Sequence, residues 1–350
     1  MTLHPALRSL LWPASLLFHL LVRLRAWLYG RGILRQRRLQ GVVLSVGNLT
    51  VGGTGKTPMV LWLAQRLIAE GKRVAILTQG YRGFRGPASW FPQSKQNTRE
   101  GLSDELCLLR TRLGDRVEFG VGADRYSHGC QLHERGVDWF VLDDGFQHLR
   151  LARDVDIVLI DATEPFGGGR LLPAGGLREP KSALPRADIV VITRSSHARA
   201  VEATVRRSTH APIFYAQVEC EDILPFMGNV PQQSEVDWRE KKLFAFSAVG
   251  NPAAFFSDLR RWGMQLAGQA SYRDHHWYTR RDVEQLERRA QAAGAQAFIC
   301  TEKDLFNLAG IPFQVLPALY CRVALKISEA DKFWQAILAT VERRRGSDAP

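Results

Sequence analysis

The sequence has no acidic residue before Glu70. Its first forty positions hold seven arginines instead (Arg8, Arg23, Arg25, Arg31, Arg35, Arg37 and Arg38), a strongly one-sided share of a formal net charge of +12. The five cysteines, Cys107, Cys130, Cys220, Cys300 and Cys321, are odd in number, widely spaced and never in C-x-x-C. That scarcity argues against a disulfide framework and a zinc site, and for a reducing compartment. Low-complexity tracts and short repeats are lacking too. The 350 residues therefore read as a globular chain long enough for two domains, each with its own core.

A long uninterrupted apolar run is also missing. Most positions from Leu7 to Tyr29 are apolar, but the run falls short of the ~20 residues that a span requires, and Arg23 and Arg25 would be costly at mid-bilayer. Arg8, Ser15, His19 and Arg23 are spaced seven, four and four apart, a narrow polar stripe on a helix. The expectation is an amphipathic helix within residues 1–40 that lies in an anionic membrane surface, with Trp12, Trp27 and Tyr29 at the headgroup boundary. A cleaved signal peptide is disfavoured because no small-residue cleavage site is present and a buried strand begins almost at once. The arginines are interleaved with leucines rather than set in a recognition motif, which argues against nucleic acid.

Residues 41–57, Gly-Val-Val-Leu-Ser-Val-Gly-Asn-Leu-Thr-Val-Gly-Gly-Thr-Gly-Lys-Thr, read as a buried strand, a glycine-rich loop and the start of a helix. This is the form of a nucleoside-triphosphate cradle spanning Thr50, Val51, Gly52, Gly53, Thr54, Gly55, Lys56 and Thr57. Glycines let backbone N–H groups converge on phosphate oxygens. Lys56 supplies a charge for the β/γ-phosphates and Thr57 a hydroxyl for Mg²⁺. The first glycine of the usual G-x-x-x-x-G-K-[ST] pattern falls on Thr50, a departure from the strict motif.

Further apolar strands are expected at 73–78, 138–145, 156–161 and 188–193, separated by helix-length segments. Such a pattern means a parallel sheet covered on both faces. From about residue 205 it restarts, with strands near 213–219, 242–249, 297–301 and 316–327 and helices near 251–263, 281–294 and 330–345. Three regions follow: residues 1–40, a nucleotide-binding α/β domain over 41–205, and a second α/β domain over 206–350.

A Mg²⁺-nucleotide enzyme needs a carboxylate at the end of a strand beside the phosphate loop. Asp143 and Asp144 follow Trp139-Phe-Val-Leu142 there. Phosphoryl transfer to an alcohol also benefits from a group that accepts the hydroxyl proton. Asp104-Glu105 and Asp274-His275-His276 are the candidates. Arg125 and Arg178 lie in polar stretches, where each suits either bidentate phosphate binding or a surface salt link.

Together these residues resemble the tetraacyldisaccharide 4′-kinase family. The resemblance rests on V-G-N-L-T-V-G-G-T-G-K-T-P (46–58), G-Y-R-G (80–83), D-E (104–105), L-D-D-G-F-Q-H (142–148), G-R-L-L-P-A-G-G-L-R-E-P (169–180), G-N-P-x-x-F-F (250–256), D-H-H (274–276) and T-E-K-D (301–304). It implies a P-loop kinase of two α/β/α lobes, the second smaller and closing over the active site, with ATP and Mg²⁺ as cofactors. The activity implied is γ-phosphoryl transfer to the 4′-hydroxyl of an acylated disaccharide 1-phosphate, at the cytoplasmic face of the bacterial inner membrane and with no protein partner. It further implies that Lys56 and Thr57 hold phosphate and metal, that Asp144 with Asp143 and Glu105 arranges Mg²⁺, and that Asp104 with His275 handles the hydroxyl proton. Arg125 and Arg178 would stabilise the transferring phosphoryl. Thr193-Arg194 departs from the asparagine–lysine pair expected at that place.

Two other classes compete. A membrane-recruited ATPase switch would carry a signature lysine where Val51 stands. A GTPase is faintly suggested by Thr301-Glu-Lys-Asp304, but guanine recognition places lysine second in [NT]-K-x-D, and here it is third.

Overall fold

The structure is a computed structural model that describes residues 11–80, 103–226 and 237–346. Of the G-Y-R-G motif at 80–83, Gly80 is described and residues 81–83 lie outside the described residues. In chain order the elements are α1 (Trp12–Gly30), β1 (Val42–Asn48), α2 (Lys56–Ala69), β2 (Val74–Thr78), α3 (Asp104–Leu113), β3 (Glu118–Val121), α4 (Arg125–Glu134), β4 (Trp139–Asp143), β5 (Val155–Asp161) and β6 (Ile189–Thr193). There follow α5 (Arg199–Arg206), β7 (Ile213–Pro225), β8 (Lys242–Ser247), α6 (Pro252–Arg261), β9 (Gln265–Ser271), α7 (Arg280–Ala292), β10 (Ala297–Thr301), α8 (Glu302–Leu308), β11 (Ala318–Ile327) and α9 (Ala330–Gly346).

Two compact units emerge. One comprises Met1–Gln79, Asp115–Gln217 and Leu325–Pro350, the other Gly80–Gly114 and Val218–Ala324. This division differs from the single cut expected near residue 205. Residues 103–114 carry α3, which packs on α8 of the second unit, while Trp334 and Phe333 of α9 pack on Trp62 of α2 in the first.

The first unit holds parallel strands in the order β3-β2-β4-β1-β5-β6-β7. Strands β1, β2, β5 and β6 are buried at every residue, as a sheet covered on both faces requires. Helix α2 forms because Met59, Val60, Leu63, Ala64 and Leu67, all fully buried, recur at helical spacing on one face. Gly55, at φ 90°, is its N-cap, a conformation costly for any residue with a Cβ.

The second unit repeats the parallel plan in the order β11-β10-β8-β9. Alternation along its strands sorts the core into two layers. Phe244, Phe246, Phe298 and Cys300 join Val283, Leu286 and Ala290 of α7 on one face. Leu243, Ala245, Ala297 and Ile299 join Phe255, Phe256 and Leu259 of α6 on the other. At α8 the T-E-K-D motif is a capping box: Thr301 Oγ1 and Asp304 bond reciprocally, and buried Asp304 also accepts from the Tyr278 hydroxyl and the Ala248 N–H, each at 2.8 Å. Its aspartate is structural, which accounts for the misplaced lysine of the faint guanine-reading signal.

Candidate active site

In the first unit, register sets the site. Val46 of β1 lies opposite Asp143 of β4, so the Asp143–Asp144 step stands beside the loop that leaves β1, at the carboxyl ends of the strands where open α/β sheets bind ligands. The missing first glycine has a structural reason. Thr50 forms an antiparallel bridge with Leu177, an extended position suited to a β-branched residue, and the Val51 N–H donates to Gly176 O at 2.8 Å. Gly52, at φ 111°, then turns the chain. Gly53 O and Thr54 O are held from the far side by Arg194 Nη1 at 3.2 Å and Thr193 Oγ1 at 3.0 Å. The pair that departs from asparagine–lysine thus braces the phosphate loop, with Arg194 also bound to Asp161 at 2.6 Å. Thr57 is buried in the first turn of α2.

Around this loop the charges interlock. Lys56 Nζ donates to Asn48 Oδ1 at 3.1 Å and lies 3.3 Å from Asp144 Oδ1. Arg178 grips both Asp144 oxygens, at 2.7 and 2.8 Å, and also donates to Asn48 Oδ1. Burial lowers the Lys56 pKa against the pull of Asp144. The two adjacent aspartates diverge. Burial, then the Asp144 charge, raises Asp143, which accepts from Thr78 Oγ1 at 3.2 Å. Burial would raise Asp144 as well, but the Arg178 hydrogen bond and the Lys56 charge hold it well below the usual carboxylate range. Such a split is how one site keeps two carboxyls in different roles. Asp144 also sits at φ 51°, a left-handed strain that its two cations oppose.

Arg125 begins α4 and is only 3% exposed, so the salt-link reading of a surface arginine does not hold. Among the described residues it has no hydrogen-bond or ion-pair partner. Burial lowers its pKa, and the charges of Asp143 and Asp144 oppose this. Burial of an unneutralised guanidinium is costly, and an anion placed beside it would offset that cost.

The second unit carries a separate cluster. Asp104, at the first turn of α3 after the Ser103 N-cap, receives His275 Nδ1 at 3.0 Å to both oxygens. His275 is therefore the histidine brought to Asp104. His276 turns to Asp282 at 3.1 Å and stacks on Tyr272. The hydrogen bond to Asp104 raises His275 to about 9 against the opposing effect of burial, helped by the Asp104, Glu105 and Asp274 charges. Burial would raise Asp104, yet the His275 bond and the Lys303 charge hold it well below its ordinary value. His275 adopts φ 58°, a second strained non-glycine residue at a candidate site. Glu105 is raised by burial and ion-pairs with Lys303 Nζ at 2.6 Å. Ligand atoms of Asp104, Glu105 and His275 lie within 4.8 Å of one another, but a protonated imidazole and an ammonium among them suit proton handling better than a cation.

The profile of the family described as tetraacyldisaccharide-1-P 4′-kinase matches residues 7–342. The chain belongs to this family. It is 42% identical over 309 residues to the tetraacyldisaccharide 4′-kinase of Geobacter metallireducens, covering 87% of this chain and 89% of the relative. With the enzyme of that name from Pelobacter propionicus the identity is 39% over 310 residues, 87% and 84% of the two chains. Among solved structures, LpxK from Aquifex aeolicus in complex with ATP superposes with a TM-score of 0.69 at 30% identity, covering 96% of this chain and 99% of that one. This kinase is thus a phosphotransferase of lipid A biosynthesis, and the switch alternatives are not favoured.

Sequence reasoning gave no role to two residues of the kinase. Asn48 Oδ1 accepts from both Lys56 and Arg178, and its backbone O accepts from Gln147 Nε2 at 2.9 Å. Lys303 neutralises Glu105. Both stand inside quoted motifs, but their partners lie far along the chain. Helix α1 shows which of its faces the protein covers. Ser15 of the polar stripe faces inward, donating its hydroxyl to Leu171 O at 2.9 Å. Leu17, Leu20, Leu21 and Leu24 point outward and are each more than half exposed. Among the described residues no helix is long and apolar enough to cross a membrane.

Proposed function

We propose that this kinase uses ATP with Mg²⁺ to phosphorylate the 4′-hydroxyl of its acylated disaccharide 1-phosphate while α1 rests in an anionic bilayer surface. The observation that carries the reading is the convergence of Lys56, Arg178 and the buried Arg125, which has no hydrogen-bond or ion-pair partner among the described residues, on the glycine loop and the Asp143–Asp144 step. Three cations and a helix N-terminus favour a polyphosphate. The ATP named in the Aquifex aeolicus structure supports the same choice for this chain.

Lys56 would follow the β/γ-phosphates, exchanging its contact with Asp144 for them. Arg125 would meet the transferring phosphoryl. Arg178 would hold Asp144 in place and, in part, share its charge with the phosphoryl. The oxygen donors of Thr57, Asp143 and Asp144 fit a hard cation. These residues would hold Mg²⁺, which neutralises phosphate charge when bound. In the other cluster, Asp104 would orient His275, and the pair would take the proton of the acceptor hydroxyl.

An outward row of leucines on a helix flanked by Arg23, Arg25 and Arg31 supports the interfacial reading. Beside α1 lies a cavity of about 570 Å³, lined by Trp12, Leu16, His19, Leu171, Leu177 and Lys181 among others. Its apolar walls and basic rim suit part of an acylated, phosphorylated lipid. The test of the reading is Lys56→Ala, assayed by product mass with ATP and the disaccharide 1-phosphate in mixed micelles. Turnover should fall roughly 10³-fold, as for loss of an electrostatic transition-state contact. Near-normal turnover by a folded variant would sink the nucleotide assignment.

A further inference from the structure

We infer that Cys220 and Cys321 are a thiol pair that closes to a disulfide when the protein meets a disulfide oxidant of the glutathione class. The sequence offers no hint of this: the two stand 101 residues apart, and cysteine spacing argues against any framework. The fold brings Cys220 of β7 and Cys321 of β11 to an Sγ–Sγ distance of 3.3 Å, with the Cys321 thiol donating to Cys220 Sγ. Both sulfurs sit in one cluster with Trp238, Trp262, Met264 and Leu319, so packing holds them in contact. Among the described residues, no other two cysteines hydrogen-bond through their sulfurs. Cys300 Sγ instead donates to Leu319 O at 3.5 Å.

The two thiols are unequal in the way a two-step exchange requires. Cys220 is half-buried and open to attack chemistry, whereas Cys321 is 1% exposed. The hydrogen bond from Cys321, against burial and aided by the Arg239 charge, lowers the Cys220 pKa. That favours its thiolate as the entering nucleophile. Cys220 sulfur attacks one sulfur of glutathione disulfide, forming a protein–glutathione bond and releasing the first glutathione thiolate. Cys321, losing its proton, then attacks Cys220 Sγ and releases the second. Two protein thiols are oxidised and one glutathione disulfide is reduced to two thiols. The resulting cross-link ties β7 to β11 across about 100 residues, which restricts the unfolded chain.

Neither cysteine touches a candidate site residue, so Cys220→Ser and Cys321→Ser should keep basal kinase activity, which also reports that they fold. Reduced full-length protein is incubated with excess glutathione disulfide, alkylated, and examined by intact mass and peptide mapping. Wild type should lose two free thiols and about 2 Da, with the Cys220 and Cys321 peptides linked. Cys321→Ser should stop with one glutathione on Cys220, and Cys220→Ser should keep its remaining thiols. The oxidised wild type should unfold at higher urea than the reduced form, reversibly with dithiothreitol. The inference is overturned if wild type keeps all its thiols, halts at a glutathione adduct, links a different pair, or gains no resistance to urea once linked.

Discussion

Replacing Asp104 by asparagine keeps the shape of the carboxylate but removes the charge that faces His275 Nδ1. In the native protein the imidazole is held at about 9, against an ordinary value of about 6.5. At pH 7 that leaves only about 1% of His275 neutral. As the proposed proton acceptor, a His275 in this state would limit the rate, so the acid limb of the rate profile should lie well above the ordinary histidine value. Wild-type kcat should rise with pH until about 9. Asp104→Asn should drop the His275 pKa by roughly 2 units, leaving Glu105 and Asp274 to sustain a small elevation. The raised His275 contributes stability that is complete below about 6.5 and lost as pH rises through its folded value, while the depressed Asp104 contributes only above its ordinary carboxyl range. The pair therefore stabilises the fold most between about pH 4 and 6.5, by roughly 1–2 kcal/mol once screening of the half-exposed imidazole is allowed for, and progressively less as pH rises to about 9. Two-dimensional NMR of the histidine ring, followed from pH 5 to 10 in both proteins, measures the shift, and kcat profiles measure its consequence. A wild-type His275 that titrates near 6.5, or a variant whose titration is unmoved, would refute the reasoning.

Other outcomes follow from the same geometry. Arg125→Met should cost about 10²–10³ in kcat yet leave stability unchanged or raised, because a buried cation with no partner among the described residues is replaced by an apolar chain; urea melts and steady-state kinetics decide it, and a large loss of stability would mean the guanidinium is a structural tie. Substituting Leu17, Leu20 and Leu24 by serine should abolish pelleting with anionic vesicles while the melting temperature stays put; retained pelleting would remove α1 from the membrane. Asp104→Ala and His275→Ala should each depress kcat far more than the KM for ATP, and the double variant should be little worse than the poorer single one. Strict additivity would assign the two residues separate tasks.

The parts legible in the sequence were those whose signal is local. The glycine loop and the paired aspartates after an apolar strand each declare themselves within about ten residues, because backbone freedom and strand burial act over that range. Strands β3 and β9 escaped notice for the complementary reason. Glu118–Val121 is only four residues long, and Gln265–Ser271 is largely exposed and contains a glycine, so neither carries a strong apolar run. For α1 the sequence showed that the helix has two faces but not which one the protein covers. That was decided by the Leu171 carbonyl, which accepts from Ser15 and turns the leucines outward. Contacts that bridge long stretches of chain were decided by tertiary structure alone. Asp104 meets His275 across 171 residues and Glu105 meets Lys303 across 198, and the burial that shifts their protons exists only once α3 and α8 have packed. Sequence fixes which groups are available to ionise; the strength of each charge depends on how much water and which counter-charge the folded chain leaves beside it.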